Sequence, residues 1–292
     1  MTLPINFPPP AGYSASPKWD GRNFVFDDQI TPVLEYSENF SGWSDELTAL
    51  HEESAGDSHP IDLASRKHAI EQVGKYIPSS SPVVMEIGCS SGFFIRDLVR
   101  HFPEALVFGV DVVKAPLYRL AGALSGVPLI RFDLLRCPLP DKSVDVLVML
   151  NVLEHIEDDV GALEKSFNLL KPGGVLIIEV PAGKVLYDAY DAELNHFRRY
   201  SSVELERKLG GAGFEICRKS HLGFVLFPAF ALIKLVNRMP FFKSDNKVVS
   251  KQAKVTSTSL LVRFVMWFES KFLFDSRLPF GIRVLMTARR PK

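Results

Sequence analysis

Val83-Val84-Met85-Glu86-Ile87-Gly88-Cys89-Ser90-Ser91-Gly92-Phe93-Phe94 is the stretch that decides the fold. An apolar run of strand length closes on an acid, and a turn of small residues follows. Phe93-Phe94-Ile95-Arg96-Asp97-Leu98-Val99-Arg100 then reads as an amphipathic helix. Gly88 and Gly92 let the backbone turn sharply and leave room for a ligand against it. A turn built for dinucleotide pyrophosphate presents backbone N–H groups and a helix N-terminus to the phosphates, with no carboxylate in the way. Here Glu86 precedes the turn, and Ser90 stands where the dinucleotide pattern has its middle glycine. A carboxylate at that place suits a ligand that carries an ammonium group and no phosphate.

The segments downstream repeat the theme. Ala105-Leu106-Val107-Phe108-Gly109-Val110-Asp111 reads as a buried parallel strand closing on an acid, about 20 residues beyond the turn, where a ribose diol finds its acceptor. Val127-Pro128-Leu129-Ile130-Arg131-Phe132 ends at Asp133, placed to accept from an adenine amino group. Val144-Asp145-Val146-Leu147-Val148-Met149-Leu150 runs into Asn151-Val152-Leu153-Glu154-His155-Ile156. Lys171-Pro172-Gly173-Gly174 is expected to end a helix, and Val175-Leu176-Ile177-Ile178-Glu179-Val180 to start the next strand. Acids at three consecutive strand ends, at these intervals, are hard to assign to capping alone.

In order and spacing, these segments resemble the motifs of the S-adenosylmethionine-dependent methyltransferases with a Rossmann-like fold, from about Ile70 to Phe214. The resemblance implies an α/β fold: a doubly wound, mostly parallel sheet of seven strands with helices on both faces. It implies S-adenosyl-L-methionine as cofactor. Glu86, Gly88, Cys89, Ser90, Gly92, Asp111, Val112, Asp133, Leu134, Asn151 and Val152 would hold it. Methyl transfer to a small-molecule, sugar or lipid-linked acceptor, at oxygen, is the expected function. A non-catalytic module that binds the same cofactor is the rival, and Glu86 and Ser90 disfavour an NAD-dependent oxidoreductase.

Composition adds limits. The 292 residues are 47% hydrophobic, ample for a core, and 34 basic residues balance 34 acidic ones, so nucleic acid is not favoured as a partner. Cys89, Cys137 and Cys217 are few and far apart, which fits a reducing compartment and gives no metal-ligand spacing. The chain opens without a basic region and apolar run of the secretory kind, so a cytoplasmic location is expected.

Along the chain, residues 1–60 read as an N-terminal extension and lid. Pro8-Pro9-Pro10 lies in an irregular stretch, and helical order begins near Asp45. The core spans 61–220, opening with a helix from Ile61 to Ile77. Its sixth strand is expected at Phe214–Arg218. A helical insert or cap occupies 221–280, and 281–292 hold the final strand, Ile282–Arg289, antiparallel beside the sixth. The insert carries an apolar run from Leu222 to Ile233, a polar patch from Lys243 to Lys254, and a helix with Leu261, Phe264, Val265, Phe268 and Phe272 on one side. The run is too short to span a membrane, and Pro228 interrupts it. Three uses are open to the insert: a cap on the substrate pocket, a homodimer contact, or peripheral membrane contact through 222–242 to reach a lipid-linked acceptor.

Catalysis needs little machinery here, because the leaving thioether takes no proton and alignment does most of the work. Asp191-Ala192-Glu193-Leu194-Asn195-His196-Phe197-Arg198-Arg199-Tyr200 follows the fifth strand on the ligand-binding edge. Its D…H-x-R-R-Y pattern resembles a methyltransferase subgroup. His196 is the candidate general base, with Arg198, Arg199 and Tyr200 as candidate substrate ligands. His155 reads as a brace of the fold. No metal site is expected, because the spacing of His51, Glu52, Asp57 and His59 is irregular.

Overall fold

A computed structural model describes residues 3–36, 57–77, 81–237, 259–273 and 276–292. Strand β5 (Val83–Ile87) is buried on both faces: Val83, Met85 and Ile87 enter one core layer while Val84 enters the other. That two-sided burial is why the segment is apolar throughout. Helix α2 (Phe93–His101) follows and buries Phe94, Ile95 and Leu98. Alternation continues through β6 (Leu106–Asp111), α3 (Lys114–Ala123), β7 (Leu129–Arg131), β8 (Val144–Leu150), α4 (Asp159–Leu169) and β9 (Leu170–Pro181). Lys171 to Gly174 already run in β9, so the helix stops before the point expected. After the short α5 (Ala189–Glu193) come α6 (Ser202–Gly211) and β10 (Glu215–Leu222), longer than the expected sixth strand, and finally β11 (Arg283–Arg289).

With β4 (Val33–Glu35) included, the strands of the main sheet lie in the order β10-β11-β9-β8-β5-β6-β7-β4. β11 runs antiparallel to both neighbours, as expected of the last strand. The chain moves outward from β5 through β6 and β7, then returns to lay β8 on the other side of β5. The ends of β5 and β8 therefore flank the switch point, where open α/β sheets bind their ligands.

The expected count of seven strands is one short. β4 (Val33–Glu35) pairs in parallel with β7 at the edge, and Glu35 is held there by Arg131 (2.8 Å), Lys114 (2.8 Å) and the Tyr118 hydroxyl (2.7 Å). Part of the N-terminal extension forms strands. β1 (Lys18–Trp19), β2 (Phe24–Phe26) and β3 (Gln29–Thr31) form a small antiparallel sheet. Phe7, 2% exposed, packs edge-on against Phe24 and beside Phe108 of β6, so this region forms part of the core. The helical order expected near Asp45 lies outside the described residues. Helix α1 (Pro60–Tyr76) matches the expected helix to within one residue at each end.

Helices α7 (Phe227–Asn237) and α8 (Leu260–Phe272) lie between β10 and β11. α8 buries Met266 and Glu269, and the Glu269 carboxylate accepts the N–H groups of Gly223 (2.7 Å) and Val225 (3.0 Å). Of the stripe singled out in the sequence, Leu261, Phe264, Phe268 and Phe272 are exposed and Val265 is half-buried. The polar patch from Lys243 to Lys254 lies outside the described residues. Among the described residues, no helix is long and apolar enough to cross a membrane.

Candidate functional site

The turn after β5 is knitted to β6. Gly88 and Cys89 donate their N–H groups to the Val110 carbonyl (2.8 and 3.0 Å), Ser90 to Asp111 Oδ2 (2.8 Å), and Gly92 to the Cys89 carbonyl (2.7 Å). These donors serve the protein, whereas a phosphate cradle points such groups at its ligand. Gly88 and Gly92 have left-handed φ angles of 78° and 72°. A Cβ on Gly88 would stand 2.5 Å from Val152 Cγ2, so the adjoining loop, as well as any ligand, demands glycine.

Glu86 is 5% exposed, and its Oε2 has no hydrogen-bond partner. Burial, reinforced by the charge of Asp111, pushes its pKa well above the usual carboxylate range. An incoming ammonium group would supply what this oxygen lacks. Asp111 ends the adjacent strand, and its Oδ1 accepts from Val113 N–H (3.0 Å). Val112 and Val152 are half-buried at the same edge, and Asn151 (φ 54°) donates to Glu179 Oε1 (3.1 Å). Asp133 caps a short turn by accepting from Leu135 N–H (3.0 Å), with Leu134 buried behind it. Cys89 departs from expectation. Its side chain is 3% exposed and lies in the core near Gly109, so it faces away from the edge.

A second cluster forms beyond β9. Asp188 and Asp191 make a capping box at the start of α5. Asp191, fully buried, accepts from His196 Nδ1 (2.9 Å), Arg199 Nε (2.8 Å) and Lys234 Nζ (3.2 Å). Burial works to raise its pKa, but the hydrogen bonds from His196 and Arg199 outweigh that and hold it well below the usual range. For His196 the balance reverses: burial lowers its pKa against the pull of Asp191, so the ring is neutral near pH 7. Because a carboxylate only accepts, Nδ1 carries the proton and Nε2 keeps a lone pair.

Two expected substrate ligands prove to be internal braces. Arg199 is 4% exposed and gives Nη1 to the Ala182 carbonyl (3.1 Å) as well as Nε to Asp191. Tyr200 is 0% exposed, and its hydroxyl donates to Asp159 Oδ2 (2.8 Å). In both, the polar end is spent on internal partners, unlike the unpartnered oxygen of Glu86, so neither is offered to a substrate. Arg198 lies nearer solvent and pairs with Asp159 (2.9 Å) and the Glu157 carbonyl (2.6 Å).

Phe197 N–H donates to the Glu154 carbonyl (2.8 Å), tying the His196 loop to the loop after β8. That contact gathers Glu154, His155 and His196, with one ligating atom from each lying within 4.8 Å of the others. The two imidazole rings meet edge to face at 4.6 Å. Glu154 is 0% exposed, neither carboxylate oxygen has a partner, and burial pushes its pKa up to about 8. The sequence reading treated His155 as a brace and passed over Glu154. The only signal available was a Glu-His pair at a strand end. Of the residues considered earlier for metal, Asp57 pairs with Arg66 (2.8 Å) and His59 with Asp62 (3.2 Å), while His51 and Glu52 lie outside the described residues.

The family model described as a methyltransferase domain matches residues 85–178, from β5 into β9. A Mycolicibacterium smegmatis protein bearing the name of an S-adenosylmethionine-dependent methyltransferase is 33% identical over 138 residues, 46% of this chain and 52% of that protein. Trans-aconitate 2-methyltransferase of Deinococcus radiodurans is 31% identical over 128 residues, 44% of this chain and 46% of its own. The chain thus spans about half the length of the curated relatives it matches. The Haemonchus contortus phosphoethanolamine N-methyltransferase 2 structure, in complex with S-adenosyl-L-methionine, shares the fold. Its TM-score is 0.54 at 16% identity, over 84% of this chain and 57% of that one.

Proposed function

We propose that this chain, whose core carries a methyltransferase domain of the S-adenosylmethionine-dependent kind, transfers a methyl group to an oxygen of a small-molecule, sugar or lipid-linked acceptor. The observation that carries the reading is Glu86: a buried carboxylate with an unpartnered oxygen, at the switch point, beside a turn whose N–H groups are already engaged. That arrangement suits the ammonium and diol of S-adenosylmethionine and gives no cradle to a pyrophosphate. Glu86 would take the ammonium, Asp111 the ribose hydroxyls and Asp133 the adenine amino group. Val112, Leu134, Asn151 and Val152 would line the remainder, together with the backbone of Gly88, Ser90 and Gly92.

Bound S-adenosylmethionine supplies a methyl group on a sulfonium, which departs as a neutral thioether without needing a proton. What the protein must handle is the acceptor's proton. Asp191 fixes the tautomer of His196 and leaves the Nε2 lone pair available for that task. Arg198 is the remaining candidate for gripping an acidic acceptor; trans-aconitate, named in the Deinococcus relative, is one such acid. The exposed apolar residues of α7 and α8, Leu232, Ile233, Leu235, Phe264 and Trp267 among them, support a peripheral role for the insert in a cytoplasmic protein, at a membrane surface or a dimer contact.

Calorimetry with S-adenosylmethionine tests the cofactor assignment. Asp111→Ala should cost about 1–3 kcal/mol of binding, the range for buried polar groups left unpaired. A folded Asp111→Ala protein binding as tightly as the parent would remove the assignment. Product formation from a panel of hydroxylated and carboxylated acceptors tests the activity.

A further inference from the structure

We propose that Glu154, His155 and His196 form a binding site for one divalent first-row transition-metal ion, held by the Glu154 carboxylate and one ring nitrogen of each histidine. Two imidazoles and one carboxylate are a donor set suited to zinc, cobalt or iron in the divalent state, and three protein ligands leave at least one position open. Donor atoms about 2.0–2.2 Å from a common ion lie roughly 3–4 Å from one another. The three groups already stand within 4.8 Å, so closing on an ion needs only small side-chain rotations.

A second observation points independently to a ligand. Glu154 is 0% exposed, yet neither of its oxygens has a hydrogen-bond partner. Such a group is costly unless something pairs with it, and buried charges are usually paired or bound to metal. A divalent cation between Glu154 and the two rings would provide that pairing. The surroundings are also those of a metal-binding histidine. Asp191 holds His196 Nδ1 at 2.9 Å, which leaves Nε2 as the nitrogen available to a ligand, and a carboxylate behind a ligating imidazole is the usual way its tautomer and orientation are set. The Phe197 N–H to Glu154 carbonyl bond (2.8 Å) and the Tyr187 hydroxyl to His196 carbonyl bond (2.7 Å) fix the two loops against each other, so the donors are preorganised.

The use of such an ion rests on the function proposed above; its binding does not. With the acceptor oxygen in the open position, the ion would lower the pKa of that hydroxyl. The proton passes to solvent, the freed oxygen lone pair forms the new O–CH3 bond, and the C–S bonding pair stays with sulfur. With the ion bound, the Nε2 lone pair is spent on the metal and His196 acts on the acceptor through it; taking the proton directly belongs to the metal-free protein.

Cobalt(II) is the probe, because its visible absorption reports coordination directly. The chelator-stripped full chain should bind one Co2+ by calorimetry and show the visible bands of a nitrogen- and oxygen-ligated site. Losing even an outer partner of a metal ligand costs about 10–100-fold in affinity. Glu154→Gln and His155→Asn, which remove ligands outright, should therefore each weaken Co2+ by at least about 100-fold. Thermal unfolding controls for the fold, with two variants so that one misfolded protein does not decide the matter. A parent that binds no stoichiometric Co2+, or folded variants of both kinds that bind it as the parent does, overturns the site. S-adenosylmethionine affinity, measured on the same samples, should stay within about two-fold of parental. If Co2+ binds but the cofactor does not, the metal site stands while the methyl-transfer reading falls.

Discussion

Glu86 and Glu154 lie beyond or at the ends of the neighbouring strands β5 and β8, and each keeps a buried oxygen without a partner. A folded chain tolerates such groups where a ligand completes them. Gly88 is the residue on which the geometry bears most sharply. Gly88→Val would place a branched side chain in a left-handed conformation and drive its Cβ to within 2.5 Å of Val152. Strain of this kind costs about 1–3 kcal/mol, and overpacking a similar amount again. Urea unfolding should therefore show a loss of at least about 2 kcal/mol even without cofactor; an unchanged midpoint would mean that the turn and the Val152 loop are not locked together. The placement of Glu86 in its strand, Gly88 in the turn and Asp111 at the next strand's end was legible in the sequence, because strand and turn are local. Arg199 and Tyr200 were misjudged because their spacing says nothing of their burial.

At the scale of elements, the buried side chain of Lys234 fastens α7 to α5. Lys234 is 1% exposed and reaches Asp188 (2.5 Å) and Asp191 (3.2 Å), with Tyr190 beneath its ammonium at 4.7 Å. Burial and the nearby Arg199 lower its pKa, but the two aspartates oppose this. Breaking a buried pair costs about 3–5 kcal/mol because it strands the partner's charge. Arg199 still neutralises Asp191 and the neutral His196 still donates to it, so Lys234→Ala should lose about 3 kcal/mol, the low end. Limited proteolysis should then cut the variant faster near α7, and equal stability and cleavage would show that the clamp is incidental. The apolar periodicity of α8 was read correctly as a stripe. The sequence left its direction open, because the inward face is set by Met266 and by the polar contacts of Glu269, which no hydrophobic pattern reports.

For the whole molecule, pH dependence combines buried groups of opposite sign. His68, inside α1, has its pKa pushed down to about 3 by burial and by the charge of Arg218. The unfolded chain takes up that proton near pH 6.5 while the folded one does not. His68 therefore contributes stability above pH 6.5 that is lost progressively as pH falls toward 3. Glu154 works the other way: its raised pKa means stability is lost as pH rises from the ordinary carboxylate value toward 8. The comparison must isolate one residue. Between pH 7 and pH 5, the stability advantage of the parent over His68→Gln should shrink by about 2 kcal/mol, from about 1.5 pH units at 1.36 kcal/mol each. Denaturant titrations at the two pH values measure this, and a constant difference would place His68 in contact with water.

The sequence alone determined the doubly wound sheet, the antiparallel last strand and the acids at the ends of neighbouring strands. Each rests on short-range order: strand-length apolar runs, turns of small residues and acids at strand ends survive in any reading frame of neighbours. Only the tertiary structure decided that the first thirty-odd residues build core and an edge strand, that Lys234 of the insert anchors Asp191, and that Glu154 and His155 meet His196. These depend on loops distant in the chain being brought to one sheet edge and sealed from water. Burial, which turns a charged side chain into a brace or into a ligand, belongs to that assembly and has no local signature.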